Sequence, residues 1–312
     1  MPIAPGLLPI ACILERRDFQ MLLQRTKKMM SQFKFEVEEA AMKKIIVITA
    51  VFFVFFLTLG IIGHAVGETK IKGMNVKYTA DGLEMIGYLA YDENIHGRRP
   101  AVLVVHEWWG LNDYARLRAR MLAELGYTAL ALDMYGGDKV ASHPEDAQKF
   151  SSALMKNFDL AKARFMAGMA FLKNQPTIDP TRVAAIGYCF GGGIVLNMAR
   201  QGLDLKGVAS FHGNLTSVNP AQPGAVKAKV LVLHGGADKF STPEQIEAFK
   251  KEMTAAGADF RFITYPGALH SFTNPEADAM GKKFNMPIGY NAQADKQSWD
   301  ELKKFLETIF RK

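Results

Sequence analysis

The chain has 312 residues, 49% hydrophobic and 22% charged, a composition that excludes disordered and fibrous classes. Of its formal charge of +7, +3 belongs to residues 1–67, and the remaining +4 is spread without a Lys/Arg run, so a nucleic-acid partner is not expected. The cysteines are Cys12 and Cys189. Loss of a leader would leave one thiol and no internal disulfide, so Cys189 is either a buried small hydrophobe or a reactive group.

Residues 1–41 carry a mixed-charge stretch over 16–39 that has at most the pattern of an amphipathic helix. Residues 45–62 run without a charge, behind Lys43-Lys44 and ahead of the small-residue sites Gly63-His64-Ala65 and Ala65-Val66-Gly67. This is the layout of a secretory signal over 42–67. At ~1.5 Å per residue the run could also reach ~27 Å, so a retained membrane anchor is the alternative. Both readings put the remainder outside the cytoplasm, in a bacterial periplasm or cell exterior, either free or anchored to the inner membrane. The codons of Glu38-Glu39-Ala40-Ala41 could form a ribosome-binding site ahead of Met42. Translation is therefore expected to begin at Met42, with 1–41 an upstream extension from a mis-assigned start; a short cytoplasmic tail is the alternative.

Residues 68–312 suit one α/β domain. Segments 71–78 and 83–91 alternate around Asp81-Gly82 and predict an antiparallel hairpin. Residues 101–105 (AVLVV) form a continuous apolar run, as in a strand buried on both faces. A helix over 112–125 follows, capped by Asn112 or Asp113. The spacing then predicts a strand at 128–132, a helix at 158–174, a strand at 183–187, a helix at 191–200 and strands at 207–211 and 230–234. A helix at 243–256, a strand at 260–265 and a closing helix at 292–310 complete the pattern. Alternating strands and helices imply a mostly parallel sheet with helices on both faces and the hairpin on one edge. Residues 136–157 are the least regular and could form a cap or lid over the site.

The chemistry concentrates in Ile186-Gly187-Tyr188-Cys189-Phe190-Gly191-Gly192-Gly193. An apolar strand ends, a Gly-x-Cys-x-Gly turn follows and a helix begins, the layout of a nucleophile elbow with Cys in place of Ser. Glycines two residues either side relieve clashes on a strained turn, and the helix N-terminus favours a thiolate and a developing oxyanion. The same segment lacks G-x-G-x-x-G order and a Lys-Ser/Thr ending, so a phosphate cradle is not expected. An elbow calls for an acid and then a His after later strands. Asp238 follows 230–234 and His270 follows 260–265, in that order. His270 would then act as acid and base, and Asp238 would fix its tautomer and stabilise the imidazolium. A turn or N-cap role for Asp238 and a plain loop histidine at 270 are the alternatives.

These residues resemble the dienelactone hydrolase family of the α/β-hydrolases. Besides Gly-Tyr-Cys-Phe-Gly-Gly, the likeness rests on Val105-His106-Glu107-Trp108-Trp109-Gly110-Leu111-Asn112, Ala131-Leu132-Asp133-Met134-Tyr135 and His270-Ser271-Phe272, and covers the chain from about Gly73 onward. It implies the α/β-hydrolase fold and a triad at Cys189, His270 and Asp238. It also implies contact of Glu107 with the resting thiol, and an oxyanion hole made by the backbone N–H groups of Trp108 and Phe190. Trp109, Tyr135, His212 and Ser271 are expected at the substrate pocket, whereas His106 and His234 are read as structural. One departure stands out. The family's carboxylate-binding arginines follow the Tyr and His motifs, where this chain has Gly136-Gly137 and Thr273-Asn274-Pro275. Lys139 or Lys239 could supply a point charge instead.

The expected activity is hydrolysis of a small-molecule ester or lactone through a cysteine thioacyl intermediate, of carboxymethylenebutenolidase type, by a monomer without metal or cofactor. A thioesterase or peptidase of the same fold, and a non-catalytic protein holding an apolar ligand, are the alternatives.

Overall fold

A computed structural model describes residues 16–61 and 69–311. The chain divides into two compact units, 1–67 and 68–312. In the first, residues Arg16–Ile61 form one helix, α1. The expected leader falls on the end of α1 and on 62–67. The side chains of 50–61 and all of 62–68 lie outside the described residues. Among those described, no helix is long and apolar enough to cross a membrane.

The second unit is built on an 8-stranded sheet ordered β1-β2-β4-β3-β5-β6-β7-β8. Strands β1 (Ile71–Ala80) and β2 (Leu83–Asp92) form the expected antiparallel hairpin, and β2 also runs antiparallel to β4 (Thr128–Leu132). Everything from β4 across β3 (Arg99–Val105), β5 (Ile178–Tyr188), β6 (Gly207–Phe211), β7 (Lys229–Gly235) and β8 (Phe260–Tyr265) is parallel.

The unbroken apolar strands have a simple cause. Successive side chains of β3 point to opposite faces, and both faces are covered. Val102 and Val104 pack with Ala115, Ala119 and Leu122 of α2 (Asp113–Glu124) and Leu302, Leu306 and Phe310 of α8 (Ala292–Phe310). Leu103 and Val105 pack with Phe165 of α4 (Phe158–Lys173), Ile194 and Met198 of α5 (Phe190–Arg200), and Phe249 and Met253 of α6 (Pro243–Ala255). Ala101 to Val105 are wholly buried, and each such Val or Leu contributes roughly 1.5–3 kcal/mol.

Local signals fix the helix ends. The Asn112 side chain accepts from Ala115 N–H, and Thr242 and Gln245 form a reciprocal capping box on α6. The expectation of an irregular 136–157 is corrected, because α3 (Pro144–Lys156) occupies most of it. Its cues are His143 at the N-cap, Pro144 at the first position and Glu145 and Asp146 in the first turn. A further helix, α7 (Ala277–Phe284), ends at Asn285 in the left-handed conformation.

Strand order determines where a site can form. From β3 the chain moves outward to β4, then crosses back over β3 to β5, so the loops leaving β3 and β5 part in opposite directions. A crevice opens at the carboxyl ends of that pair. In the β3–β5 register Val105 lies beside Gly187, which brings Glu107 and Cys189, each two residues further on, to the same edge.

Candidate active site

The turn between β5 and α5 holds Cys189 at φ 53, ψ −115, a backbone conformation that an L-residue rarely adopts. Its neighbours explain how the strain is held. A Cβ on Gly187 would run into the Gly191 backbone, and one on Gly191 would meet the carbonyls of Val105 and His106. The Cys189 N–H donates to Phe211 O at 3.0 Å and to His212 Nδ1 at 3.2 Å, while Gly191 N–H donates to His106 O at 3.1 Å. The elbow is thus pinned to β6 on one side and to the loop after β3 on the other. Cys189 is a free thiol, half-buried, at the positive end of α5.

Loops after the last two strands bring up the partners. Asp238 follows β7 and His270 follows β8, and the two loops are joined by the Ala237 N–H donating to Ala268 O at 2.9 Å. His270 Nδ1 donates to Asp238 Oδ2 at 2.8 Å, and Asp238 Oδ1 accepts from Phe240 N–H at 2.8 Å. Both residues are buried. Burial opposes a charged imidazole, but negative charge and hydrogen bonding from Cys189 and Asp238 outweigh it and raise the His270 pKa well above 6.5. The imidazole therefore stands between Asp238 and the sulfur, within hydrogen-bonding reach of both.

The backbone N–H groups of Trp108, in the loop after β3, and of Phe190, at the first position of α5, belong to residues that share a cavity with Cys189. Among the described residues neither donates to a protein acceptor. Unpaired backbone donors, one of them at a helix N-terminus, can hold an anion. Tyr135 Oη donates to Trp108 O at 2.8 Å and holds the Trp108–Trp109 peptide, while the peptide that carries the Trp108 N–H is held through Glu107 O by His106 Nδ1.

The Glu107 carboxylate is buried behind the elbow. The contact with the resting thiol implied by the family resemblance is not among its hydrogen bonds. Oε1 accepts from Ser271 Oγ at 2.8 Å and Oε2 from Asn274 Nδ2 at 2.7 Å. Burial raises its pKa, with the two hydrogen bonds opposing. Ser271 reaches inward from a left-handed backbone, φ 57, immediately after His270.

The crevice opens into a cavity of about 440 Å³ that exposes Cys189 and His270. Of the expected pocket residues, Ser271 lines it; Trp108, expected there only for its backbone N–H, lines it as well. Trp109, Tyr135 and His212 stand behind it instead. Trp109 packs on Ala141, Ala147 and Phe284, because Gly110 at φ +98 turns the loop and Trp109 O accepts from Ala141 N–H. Tyr135 is spent on Trp108 and on the rings of Phe150 and Phe190, and burial followed by the charge of Cys189 pushes its pKa far up. His212 is fully buried, with Nε2 2.8 Å from Thr273 Oγ1 and its ring 5.2 Å from that of His270. Burial, then the charges of His270 and Arg118, lower its pKa well below 6.5, so it is neutral.

His106 is also neutral, with a pKa lowered to about 4 by burial. Its Nδ1 donates to Glu107 O and its Nε2 accepts from Met134 N–H, which ties the β3 and β4 loops together. His234 is buried at the end of β7. Sequence reasoning missed Asn274, Phe240 and the α3 wall of Gln148, Ser151, Ser152 and Met155. For α3 the His-Pro-Glu-Asp start was an available signal; Asn274 had none, being 167 residues from its partner.

A mixed eight-stranded sheet with a half-buried thiol at a strand-to-helix elbow, backed by a His and an Asp from later loops, defines an α/β-hydrolase. The chain belongs to the dienelactone hydrolase family, whose model matches residues 85–310, and it is a hydrolase. It is similar to the crystal structure of a dienelactone hydrolase-like promiscuous phosphotriesterase, P91, from metagenomic libraries. That likeness has 34% identity and a TM-score of 0.73 over 77% of this chain and 99% of that one. A solved structure named m3DLH gives 36% identity and a TM-score of 0.73 over 77% and 99%. Among curated relatives, a candidate carboxymethylenebutenolidase of Aquifex aeolicus is 25% identical over 77% of this chain and all of its own length.

Proposed function

We propose that this chain hydrolyses carboxylic esters or lactones through a thioacyl intermediate on Cys189. The observation that carries the reading is the line from Asp238 through His270 to a strained, accessible sulfur at the N-terminus of α5. The Cys189 thiol proton passes to His270, whose raised pKa favours the transfer, which leaves a thiolate beside an imidazolium. The sulfur attacks the carbonyl carbon, and the oxyanion settles between the N–H groups of Trp108 and Phe190. The C–O bond to the leaving group breaks, and His270 Nε2–H protonates the departing alkoxide. The ring is then neutral, takes a proton from water as that water attacks the thioester, and returns to imidazolium as the acid leaves and the sulfur regains its charge. Asp238 holds Nδ1–H throughout and does not itself change protonation.

The test is turnover of p-nitrophenyl acetate by the wild type, by iodoacetamide-treated enzyme and by Cys189→Ala and His270→Ala variants. Loss of activity in all three supports the reading. Activity that survives a blocked thiol overturns it.

The likeness to the P91 enzyme favours phosphotriesters as a second substrate class, attacked at phosphorus by the same sulfur. Release of p-nitrophenol from paraoxon, abolished in Cys189→Ala, would be the positive result.

We also read residues 42–67 as an export signal or anchor that places the hydrolase domain outside the cytoplasm, with translation starting at Met42. The basic pair Lys43-Lys44 ahead of the apolar run supports this reading. Peptides upstream of Met42 in the native protein would contradict the start, and a cytoplasmic location of the mature domain would contradict export.

A further inference from the structure

Resting on the hydrolytic reading above, we infer that the site takes uncharged esters with an apolar acyl group and discriminates against substrates that carry a carboxylate. The cavity beside Cys189 has two kinds of wall. Trp108, Met155, Val218, Phe240, Met286 and Ile288 are apolar. The polar remainder consists of neutral side chains such as Gln148, Ser152, Asn214, Thr216 and Ser217. Among the described residues, neither Lys nor Arg lines it.

Buried arginines of α2 and α4 are committed elsewhere. Arg164 donates to Met134 O and Tyr135 O, behind the Tyr135 ring. Arg118 donates to Thr273 O and to Asp295. Lys139 and Lys239, the two point charges that the sequence offered as substitutes, are exposed and lie outside the cavity lining. Gly136 and Gly137 hold φ values of +82 and +67 under the β4 loop, which an arginine there would adopt only with strain. Asn274 is buried, with its amide donated to Glu107, so it presents nothing to a ligand.

Among the described residues lining the cavity, the one group that can be cationic is His270, and Asp238 already engages it. A substrate carboxylate would leave water for hydroxyl and amide groups alone, and an unpaired charge is poorly held there. The reacting carbonyl needs none of this, because the backbone donors of Trp108 and Phe190 serve it. Phe240 stands half-exposed with its ring 4.8 Å from that of His270, an apolar surface where the leaving group departs.

The experiment compares kcat/KM for p-nitrophenyl butyrate with that for mono-p-nitrophenyl glutarate, a similar acyl chain ending in a carboxylate, in wild type, Ser152→Arg and Gln148→Arg. The expected result is a preference for the butyrate of about 10²-fold in the wild type. Arginine at either α3 position narrows it by raising glutarate turnover. Equal or better hydrolysis of the glutarate by the wild type overturns this inference and leaves the hydrolytic reading intact. Failure of both esters together with an unreactive Cys189 overturns the hydrolytic reading and the inference with it.

Discussion

His212 Nδ1 accepts a hydrogen bond at 3.2 Å from the backbone N–H of Cys189, the residue whose positive φ lifts the sulfur into the crevice. The ring is neutral and its Nε2–H is turned to Thr273 Oγ1, itself 2.6 Å from Tyr114 Oη. His212 is therefore a positioning residue that fastens the elbow from beneath. His212→Ala should lower kcat about tenfold with little change in KM, and the loss of a buried hydrogen bond should cost about 1–3 kcal/mol of stability. His212→Asn, which can offer an acceptor from a shorter side chain, should recover part of kcat. Steady-state kinetics with chemical denaturation check both effects. An unchanged kcat in the alanine variant would remove the positioning role.

The Asp238–His270 contact makes a separate prediction. Asp238→Asn keeps the shape but removes the charge that helps hold the ring protonated, so the His270 pKa should fall. The wrong tautomer should also be favoured, with a loss in kcat of roughly 10³–10⁴. Imidazole titration by NMR measures the pKa, and p-nitrophenyl ester turnover measures the rate.

Glu107 should show stability traded for function. A carboxyl whose pKa is raised by burial holds its proton more tightly folded than unfolded, so its ionisation opposes folding as pH rises above the usual glutamate value. In Glu107→Gln the amide oxygen can accept from Asn274 and the amide nitrogen can face Ser271 Oγ. The variant should match or exceed the wild-type Tm at pH 8, with a smaller margin at pH 5, while kcat falls. A Tm well below wild type at both pH values would contradict this.

Acid sensitivity follows from the buried neutral histidines. His106, with a pKa lowered to about 4, cannot take the proton that it accepts near pH 6.5 when unfolded. Stability should therefore be lost as pH falls from about 6.5 towards 4, by up to ~1.4 kcal/mol per unit from this group. His212 adds in the same direction. His270 works oppositely, because its raised pKa makes its contribution complete below 6.5 and lost as pH rises through the folded value. A Tm–pH series on wild type and His106→Gln separates them. The variant's profile should be flatter between pH 6.5 and 4.

The elbow, the strands and the Asp–His order were legible in the sequence because each is local. A Gly-x-Cys-x-Gly turn must relieve its own clashes, and a strand covered on both faces must be apolar throughout. The pocket wall was not legible for the opposite reason. Helix α3 is mostly polar, and its buried face rests on only Ala147, Ser151 and Leu154. Which of two adjacent tryptophans faces the cavity depends on the Gly110 turn, and nothing in the Trp108-Trp109 pair itself distinguishes them. Glu107 illustrates the same limit. Its position at the end of β3 was readable, but its partners, Ser271 and Asn274, reach it only through the sheet order that joins β3 to the loop after β8.

The sulfur of Cys189 as the acyl carrier is tested most directly by acid-quenching the enzyme during turnover of p-nitrophenyl acetate and mapping the modified peptide by mass spectrometry. The account predicts one acetyl group on the peptide containing Cys189, labile to hydroxylamine as a thioester is. An acetyl group on any other side chain, or full turnover with no acyl-enzyme and an unaffected Cys189→Ala variant, would contradict it.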